Sequence, residues 1–575
     1  MKEKFGYLNR FFNPSHTVEI TSEEEPRNDE REKKIEGISF RSRTSFQTQS
    51  SIPKNGKNES RESVDFETAI SSAGFGKFNY FLLLVSVPAT MSSGIVTGSV
   101  SIVLPAVGCH FEATNFEKGL LQVSTYIGMI VTAFFWGFAS DSFGRKKLLM
   151  YGFLLDGLVG IGASLSPSLG VMIFFKILGG ALNSGPFSIF MAYLSEIFLK
   201  EYRDFAVLSS GIFSAFGNIV QPVLGYLLMS YAPFQPWELF DNYTIAPWRL
   251  FLFICAMPSL LSGIGSIFML ESPKFLLEKG RRDEALGVFK TMYSVNTGMP
   301  ASSFPVHTLH DVRSASLIVS SNLEPSMSFF QRVRKGMRQS LNLFRPPFVG
   351  RLSIFMIIQF GAMAAMNSFR LWLPQLFTLA ENARLANSSS SEAGFCEAIS
   401  ASNNVPATQQ CGMASPAPYT NMMIVNSGFL VSQLLFVFCV KYFGKKLPIV
   451  VSTMLPSFFV ASILFVPTSY VVYVSAVFVS MLSVSFFAVL VALVDVFPTS
   501  VRATSVSMTQ MFGRVGVLIV TLSLSYLLFN QCKVIIIVIS VVLFGIGLVA
   551  IMLPITSIEA PRPHPPQKAA ERQVR

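Results

Sequence analysis

Long apolar segments alternate with short polar ones through most of the chain, from about residue 78 to about residue 555. A helix needs about 20 apolar residues to cross the hydrocarbon of a bilayer. A window of that length finds twelve segments that qualify. The predicted spans are 81–105, 119–139, 148–166, 169–197, 205–230, 249–270, 350–377, 421–440, 447–466, 470–496, 505–529 and 533–554. The pattern therefore predicts an all-α membrane protein with twelve transmembrane helices.

Two sequence patterns recur about 300 residues apart. Residues 142–147 read Ser-Phe-Gly-Arg-Lys-Lys, and residues 442–446 read Tyr-Phe-Gly-Lys-Lys. A single repeat of so long a period indicates two homologous halves of six helices each, an architecture typical of transporters. The second pattern is a carboxylate followed seven residues later by an arginine: Glu196 with Arg203, and Asp495 with Arg502.

The composition agrees with a membrane protein. Of 575 residues, 51% are hydrophobic and only 14% are charged, whereas soluble domains have roughly 25% charged residues. The net charge of +11 is concentrated in particular loops, so we expect no nucleic-acid partner. The sequence has no phosphate-binding loop and no Cys or His cluster with metal-ligand spacing. We therefore predict no enzymatic activity, no cofactor and no metal, and any transport must draw on gradients.

The basic residues predict the orientation, because Lys and Arg in short loops favour the cytoplasmic side. Every second loop is poor in them and holds little beyond Lys118, Arg384 and Lys533. The intervening loops, which include the long basic segment 271–348, are therefore predicted to be cytoplasmic, together with both termini. Their basic residues outside that segment are Arg145, Lys146, Lys147, Lys200, Arg203, Lys441, Lys445, Lys446 and Arg502.

Two features mark the predicted outer loops. Asn242 and Asn387 each begin an Asn-X-Ser/Thr sequence and are predicted glycosylation sites, although such sequences also arise by chance. Cys396 and Cys411 lie in the same outer loop as Asn387, where a disulfide can persist, and we predict that they pair.

The polar segments define the domain organisation. The first 76 residues are polar, show no apolar periodicity and contain no cleavable signal peptide, so they are expected to be disordered. The expected organisation is a cytoplasmic tail at 1–76, a six-helix half at 77–270, a cytoplasmic linker with amphipathic helices at 271–348, a second half at 349–555 with an outer loop at 378–420, and a Pro-rich cytoplasmic tail at 556–575.

The loop between the second and third spans reads Gly-Phe-Ala-Ser-Asp-Ser-Phe-Gly-Arg-Lys over residues 137–146. Its Asp141, Gly144 and Arg145 resemble the cytoplasmic signature of the major facilitator superfamily. In that signature, the glycine permits a sharp turn and the arginine can bind a carboxylate of an adjacent loop. The resemblance implies alternating access, in which two halves rock around a central cavity.

Further motifs narrow the resemblance. Residues 271–276 (Glu-Ser-Pro-Lys-Phe-Leu) look like a motif of sugar porters and organic ion transporters. Residues 370–374 (Arg-Leu-Trp-Leu-Pro) resemble the synaptic vesicle glycoprotein 2 group. Two departures stand out: Lys441 replaces the signature aspartate in the second half, and loop 378–420 is far shorter than the luminal domain of the vesicle glycoproteins.

The signature and the repeated carboxylate–arginine pairs predict a gate of opposite charges at the cytoplasmic junction of the halves. Exposed pairs are worth only about 0–1 kcal/mol each, but several together can bias an equilibrium between two states. The predicted gate residues are Asp141, Gly144, Arg145, Glu196, Arg203, Glu271, Lys445, Asp495 and Arg502.

Neutralising Asp141 or Arg145 is expected to bias the protein toward an inward-open state, because the gate loses an attraction. Cysteine-accessibility labelling of the inner cavity should increase in Asp141→Asn. Unchanged labelling would show that these charges do not lock the inner mouth.

Four charges fall deep inside the predicted spans, where an unpaired charge costs at least about 2.5–3.5 kcal/mol. Asp156 and Lys176 are predicted to form a mutual ion pair between adjacent helices. Arg370 has no evident acidic partner; it either receives an anionic substrate or extends to the outer face. Arg514 is the fourth. Other polar residues at depth line the cavity or join helices: Asn218, Gln221, Gln359, Asn367 and Gln433.

The resemblance implies a secondary transporter of a small organic solute. Its similarity to organic ion transporters makes an organic ion the expected solute, and a proton or another ion is a candidate for coupling. The alternative is a non-transporting vesicle or membrane protein that uses the same scaffold to bind partners. We expect a monomer in contact with the lipid bilayer, in the plasma membrane or in an intracellular or synaptic vesicle membrane.

Overall fold

The computed structural model describes residues 64–230, 237–240, 243–309, 346, 348–386, 394–402, 415–497 and 499–553. Several residues named in the sequence predictions lie outside these ranges or have no described side chain. The side chains of Asp141, Lys441, Asp495 and Arg502, and residues Asn242, Asn387 and Cys411 altogether, lie outside the described residues.

Within the described residues, the first half and the segment after it form ten α-helices and a small hairpin. The helices are α1 (Phe66–Ala73), α2 (Lys77–His110), α3 (Asn115–Phe143), α4 (Arg145–Ser164), α5 (Leu169–Asn183), α6 (Pro186–Ile197), α7 (Lys200–Met229), α8 (Pro247–Ile267), α9 (Pro273–Glu278) and α10 (Arg282–Thr297). The antiparallel hairpin joins β1 (Trp237–Phe240) to β2 (Tyr243–Ile245) between α7 and α8.

In the described part of the second half there are six long helices and one short one, α12, which lies between the first two of them. The helices are α11 (Phe348–Ala386), α12 (Phe395–Ser402), α13 (Ala417–Phe443), α14 (Lys446–Ser462), α15 (Val471–Val496), α16 (Thr499–Asn530) and α17 (Cys532–Ile551).

The prediction of an all-α membrane protein with twelve spans is confirmed. Among the described residues, ten helical segments are long and apolar enough to cross a membrane, with α5 and α6 counted as one segment. The 29-residue α3 and the shorter apolar α14 fill the second and ninth positions. Strand structure in the described part of the chain is confined to the hairpin and two isolated bridges.

The repeated Phe-Gly turn has the same backbone form in both halves. Gly144, between α3 and α4, has a φ of 92°, and Gly444, after α13, has a φ of 72°. Backbone with positive φ is costly for residues that carry a Cβ. The glycine of each turn therefore allows two consecutive spans to reverse direction within a few residues. We refer to the end of the bundle that carries these turns and their basic residues as the basic end.

The fourth span is broken into α5 and α6 at Ser184 and Gly185. Pro186 begins α6, and proline lacks the N–H that a continuous helix would need there. The carbonyl of Ala181, in the last turn of α5, accepts hydrogen bonds from the side chains of Thr132 (3.0 Å) and Trp136 (2.7 Å) of α3. The break therefore exposes polar backbone inside the bundle, where neighbouring side chains satisfy it.

A layer of short helices covers the basic end of the first half. Ile70 of α1 and Phe289 of α10 are buried in one apolar cluster with the ends of the spans. The Asn296 side chain donates to the carbonyls of Ala73 (3.2 Å) and Gly74 (2.8 Å) and accepts from the Phe78 amide (3.0 Å). It thereby fastens α10 to the junction of α1 and α2.

This layer corrects the predicted disorder of residues 1–76, which is wrong for Phe66–Ala73. The helix has only eight residues, too few for its apolar period to stand out in the sequence. Its buried face is completed by α10, more than 200 residues later. Residues 1–63 lie outside the described part of the chain.

The predicted Cys396–Cys411 disulfide is wrong, because Cys396 is bonded to Cys532, with the two Cα atoms 5.6 Å apart. Short helix α12 packs beside α11 and the end of α16, and Cys532 begins α17 immediately after α16. Nearness along the chain was therefore a poor guide to nearness in space. Cys109, at the end of α2, is also disulfide-bonded.

Replacing Cys396 with serine is expected to lower the free energy of unfolding by about 2–4 kcal/mol, because the bond closes a loop of 136 residues. Thermal unfolding of the purified protein, with and without a reductant, measures the change. The control is Cys439→Ser, which removes a free thiol. Equal unfolding temperatures for the two variants would contradict the prediction.

Candidate functional site

Glu271, just after α8, caps the start of α4 at the basic end. Its Oε1 atom accepts hydrogen bonds from the backbone amides of Arg145 (2.8 Å), Lys146 (3.1 Å) and Ser272 (3.0 Å). The first amides of a helix have no partner within it, and a carboxylate there is favoured by the helix dipole. Glu271 therefore fixes the segment after the sixth span to the start of the third.

Arg145 and Glu196 form a buried ion pair beside this cap. Their Nη2 and Oε1 atoms are 3.2 Å apart, and the two residues are only 7% and 8% exposed. The other oxygen of Glu196 accepts from the Ser272 hydroxyl. The Arg145 guanidinium also lies over the Phe275 ring, 5.0 Å from its centroid. The pair therefore joins α4, α6 and the start of α9 in one network.

Gly144 is required in this network by space as well as by backbone conformation. A Cβ on Gly144 would lie 2.5 Å from Oε2 of Glu271. Any side chain there would therefore displace the carboxylate that caps α4. Tyr193 supports the same region, because its hydroxyl donates to the carbonyl of Leu270 (2.7 Å) just before the capping residue.

The remaining predicted gate residues are placed differently. Arg203 does not approach Glu196; it pairs with Glu67 of α1 at 3.2 Å, on the surface. Lys445 immediately precedes α14 in the second half. The described contacts of Arg145, Glu196 and Glu271 all join elements of the first half. Each of these three charges has a partner within its own half, and the gate between the halves stays a prediction.

Arg370 of α11 reaches across the centre of the bundle into the first half. Its Nη1 atom donates to the side-chain oxygen of Asn218 on α7 at 3.1 Å. Asn426 of α13 donates to the backbone oxygen of the same Asn218 at 2.8 Å. Asn218 therefore receives bonds from two helices of the second half, and it is the predicted cavity residue that contacts Arg370.

Arg514 of α16 also reaches from the second half into the first. Its Nη1 atom donates to the Ser184 hydroxyl at 3.0 Å and to the Met129 carbonyl at 3.4 Å. Ser184 stands at the break in the fourth span. Buried Tyr126 of α3 interacts electrostatically with both Arg370 and Arg514. The two guanidinium groups therefore converge on one tyrosine between the halves.

Neither arginine of this central site is neutralised by an acid within the part of the chain that the structure describes, where the ion pairs involve other residues. Both are only partly buried. The sequence identified both as deep charges, but not Tyr126, Ser184 and Asn426 as their neighbours. A tyrosine, a serine and an asparagine within apolar spans were the available signals, and neither hydropathy nor spacing shows which helices they face.

In the described part of the chain, two of the other four predicted cavity residues form hydrogen bonds that join helices and two do not. Gln221 donates to the Gly94 carbonyl at 3.1 Å, and Gln433 donates to Ser483 at 2.9 Å. Asn367 donates to a carbonyl of its own helix at 3.2 Å. Gln359 is fully buried against α16, and its amide atoms find no hydrogen-bond partner among the described residues.

Asp156 and Lys176 do not form the predicted direct ion pair, although both are buried and line one cavity. Asp156 accepts from the Ser259 hydroxyl at 2.6 Å. Lys176 donates to the Ser99 hydroxyl at 3.2 Å. Hydroxyl groups on neighbouring helices lie nearer to each charge than the opposite charge does, so the prediction is wrong as a contact.

The halves also meet at the end opposite the basic loops. A Cβ on Gly119 of α3 would lie 2.6 Å from the side chain of Ser525 on α16, and a Cβ on Gly225 of α7 would lie 2.8 Å from Tyr419 on α13. Such close approach needs residues without side chains. Together with the central contacts, these glycines close the bundle at the end opposite the basic one.

A family model described as the Major Facilitator Superfamily matches residues 86–401, more than half of the 575-residue chain. The chain belongs to the major facilitator superfamily. The match begins within α2 and ends within α12, so it includes the Gly144 turn, the Arg145 network and Arg370. The expectation drawn from the signature motif is confirmed.

Among curated proteins, the chain is similar to the synaptic vesicle glycoproteins 2. It is 31% identical to synaptic vesicle glycoprotein 2B of Rattus norvegicus over 255 residues, which are 44% of this chain and 37% of the relative. It is 29% identical to glycoprotein 2C of Homo sapiens over 257 residues, 44% of this chain and 35% of the relative. The matched region thus spans little more than a third of the relatives' length.

Among solved structures, the chain resembles the xylose transporter XylE from E. coli. The inward-open conformation has a TM-score of 0.59 at 15% identity and covers 84% of this chain and 98% of that one. The partially occluded inward-open conformation has a TM-score of 0.55 at 15% identity, covering 83% and 98%. At this identity the likeness concerns the twelve-helix fold.

Replacing Glu271 with glutamine is expected to lower the free energy of unfolding by about 1–2 kcal/mol, because a neutral amide oxygen replaces the carboxylate that accepts the amide hydrogen bonds at the start of α4. Thermal unfolding of the purified protein measures the change. The matched control is Glu284→Gln, whose exposed pair with Arg281 should be worth about 0–1 kcal/mol. An equal effect of the two substitutions would refute the capping role.

Proposed function

We propose that this protein is a secondary transporter that carries a small organic anion across a membrane by alternating access. The observation that carries the proposal is the convergence of Arg370 and Arg514 on Tyr126 between the two halves. Membership of the superfamily supports transport, and one of the similar structures is a proton:xylose symporter.

The charge of the central site favours an anion over a sugar or a cation. An unpaired arginine within the hydrocarbon costs at least about 2.5–3.5 kcal/mol. A bound carboxylate would repay that cost, since guanidinium groups bind carboxylates through two parallel hydrogen bonds. Arg370 and Arg514 rest on neutral oxygens of Asn218 and Ser184, which an anion can replace.

The same contacts suggest how a substrate would move the protein. Arg370, Asn426 and Arg514 hold the second half against the first through neutral hydrogen bonds. A ligand shifts a conformational equilibrium only by its difference in affinity for the two states. An anion that draws both guanidinium groups away from Asn218 and Ser184 would weaken the contact between the halves in one state, which favours the other.

The basic end is proposed to face the cytoplasm, because Lys and Arg in short loops favour that side. Both termini would lie there, and glycosylation at Asn242 and Asn387 would be external. The network of Arg145, Glu196 and Glu271 would then act as a rigid inner rim of the first half. We propose that the protein works as a monomer in the plasma membrane or in a vesicle membrane.

Uptake into proteoliposomes tests the proposed function. Labelled benzoate and succinate are expected to enter, whereas tetraethylammonium and D-xylose are not. Arg370→Gln and Arg514→Gln should each lower kcat/KM about 10- to 150-fold, the equivalent of about 1.5–3 kcal/mol for a lost charged hydrogen bond. The control is Gln433→Ala, whose partner Ser483 lies in the same half.

Preferred uptake of tetraethylammonium, or full activity of both arginine variants, would contradict an anion site. Absence of uptake of all four solutes by a correctly folded protein would favour the alternative, a membrane scaffold that binds partners without transport.

A further inference from the structure

A small cavity lies inside the first half, separate from the central arginines. It has a volume of about 30 Å³ and is enclosed by α2, α4, α5 and α8, which is room for roughly one or two water molecules. Its polar wall consists of Asp156, Lys176, Ser99, Cys255 and Ser259. Asp156 and Lys176 are only 4% and 8% exposed.

Each charge of this cavity is hydrogen-bonded to a hydroxyl group of a neighbouring helix. Ser259 of α8 donates to Oδ2 of Asp156 at 2.6 Å. Lys176 donates to Ser99 of α2 at 3.2 Å. An ion pair stabilises the ionised form of a carboxylate and opposes its protonation. The Asp156 carboxylate is instead hydrogen-bonded to a neutral hydroxyl group at a buried position.

We propose that Asp156 binds and releases a proton that is coupled to movement of the anion. The proposal rests on the proposed transport function. Proton binding converts the Asp156 carboxylate into a neutral carboxyl group, and Ser259 can turn its hydroxyl to accept a hydrogen bond from it. The other titratable groups facing Asp156 are Lys176 on α5 and Cys255 on α8; α2 contributes the hydroxyl of Ser99.

A continuous set of contacts connects this cavity to the central site through α2. Ser99, which holds Lys176, is adjacent to Gly98, and a Cβ on Gly98 would lie 2.5 Å from Oε1 of Gln221. Gln221, on α7, donates to the carbonyl of Gly94, which like Gly98 belongs to α2, at 3.1 Å. Asn218, one turn earlier on α7, receives the bond from Arg370. A displacement of Lys176 relative to Ser99 can therefore be transmitted to the anion site through the contacts between α2 and α7.

The charges also favour binding of the proton and the anion together. Protonation of Asp156 leaves Lys176 without an opposing charge, which adds a positive charge to a region that already holds two arginines. Burying that charge is costly unless an anion accompanies it. An anion at Arg370 and Arg514 supplies the compensation, so each ligand favours binding of the other and the pair would cross as a neutral unit.

Infrared difference spectroscopy on the full-length protein in lipid nanodiscs tests the proton site without any substrate. Lowering the pH should produce a carbonyl band of a protonated carboxyl group that Asp156→Asn lacks and the surface control Glu284→Gln keeps. An identical set of carboxyl bands in wild type and Asp156→Asn, across the whole titration, would overturn the proposal.

Transport of benzoate supplies the second measurement. An inward-directed proton gradient should drive accumulation in wild type, whereas Asp156→Asn should lose accumulation but retain exchange of internal for external benzoate. Accumulation by Asp156→Asn with the pH dependence of wild type would overturn the proposal. Absence of benzoate exchange in wild type would instead contradict the proposed function. The infrared band is measured without substrate, so it tests the proton site separately.

A second variant keeps the test decisive if Asp156→Asn fails to fold. Ser259→Ala removes the donor that favours the ionised carboxylate, so the pH midpoint of the carboxyl band and of benzoate accumulation should both move upward. Unchanged midpoints in this variant would show that Asp156 is not the proton site.

Discussion

Every charge placed within a bilayer-spanning bundle needs a partner or access to water, and this requirement governs the arrangement of the polar groups described above. At the basic end, Glu271 meets the open amides of α4, and Arg145 meets Glu196. In the centre, where the described residues offer no acid to the arginines, Arg370 and Arg514 rest on neutral oxygens of the opposite half. This difference distinguishes the charge-paired network of the basic end from the central site, for which an anionic ligand is proposed.

The two halves repeat the same turn. Gly144 and Gly444 both have positive φ and both separate consecutive spans. In the first half the turn is bound to Glu271, so α4, α6 and α9 form one rigid unit. The helices α1 and α10 extend that unit through Asn296. The repeated sequence therefore gives both halves the same backbone turn, and in the first half this turn carries a network of charges.

Hydropathy and the repeat predicted the twelve spans and the position of the turns, because both are properties of a few consecutive residues. Partners across the bundle were not predictable in the same way. Cys396 bonds Cys532 rather than its neighbour in the loop, and Arg203 meets Glu67 on a helix too short to recognise. For Asp156 and Lys176, depth in the membrane was a sound guide to their shared cavity. It could not show that their hydrogen-bond partners are Ser259 and Ser99.

The break in the fourth span has a mechanical consequence. Ser184, at the break, contacts Arg514, while Glu196, in the last turn of α6, contacts Arg145. The 12 residues of α6 extend over about 18 Å at about 1.5 Å per residue. Because α6 is separated from α5, its direction is not fixed by the helix before it. One end of α6 lies beside Arg514 and the other in the Arg145 network of the basic end, so a displacement of one end of this short rod would be carried to the other.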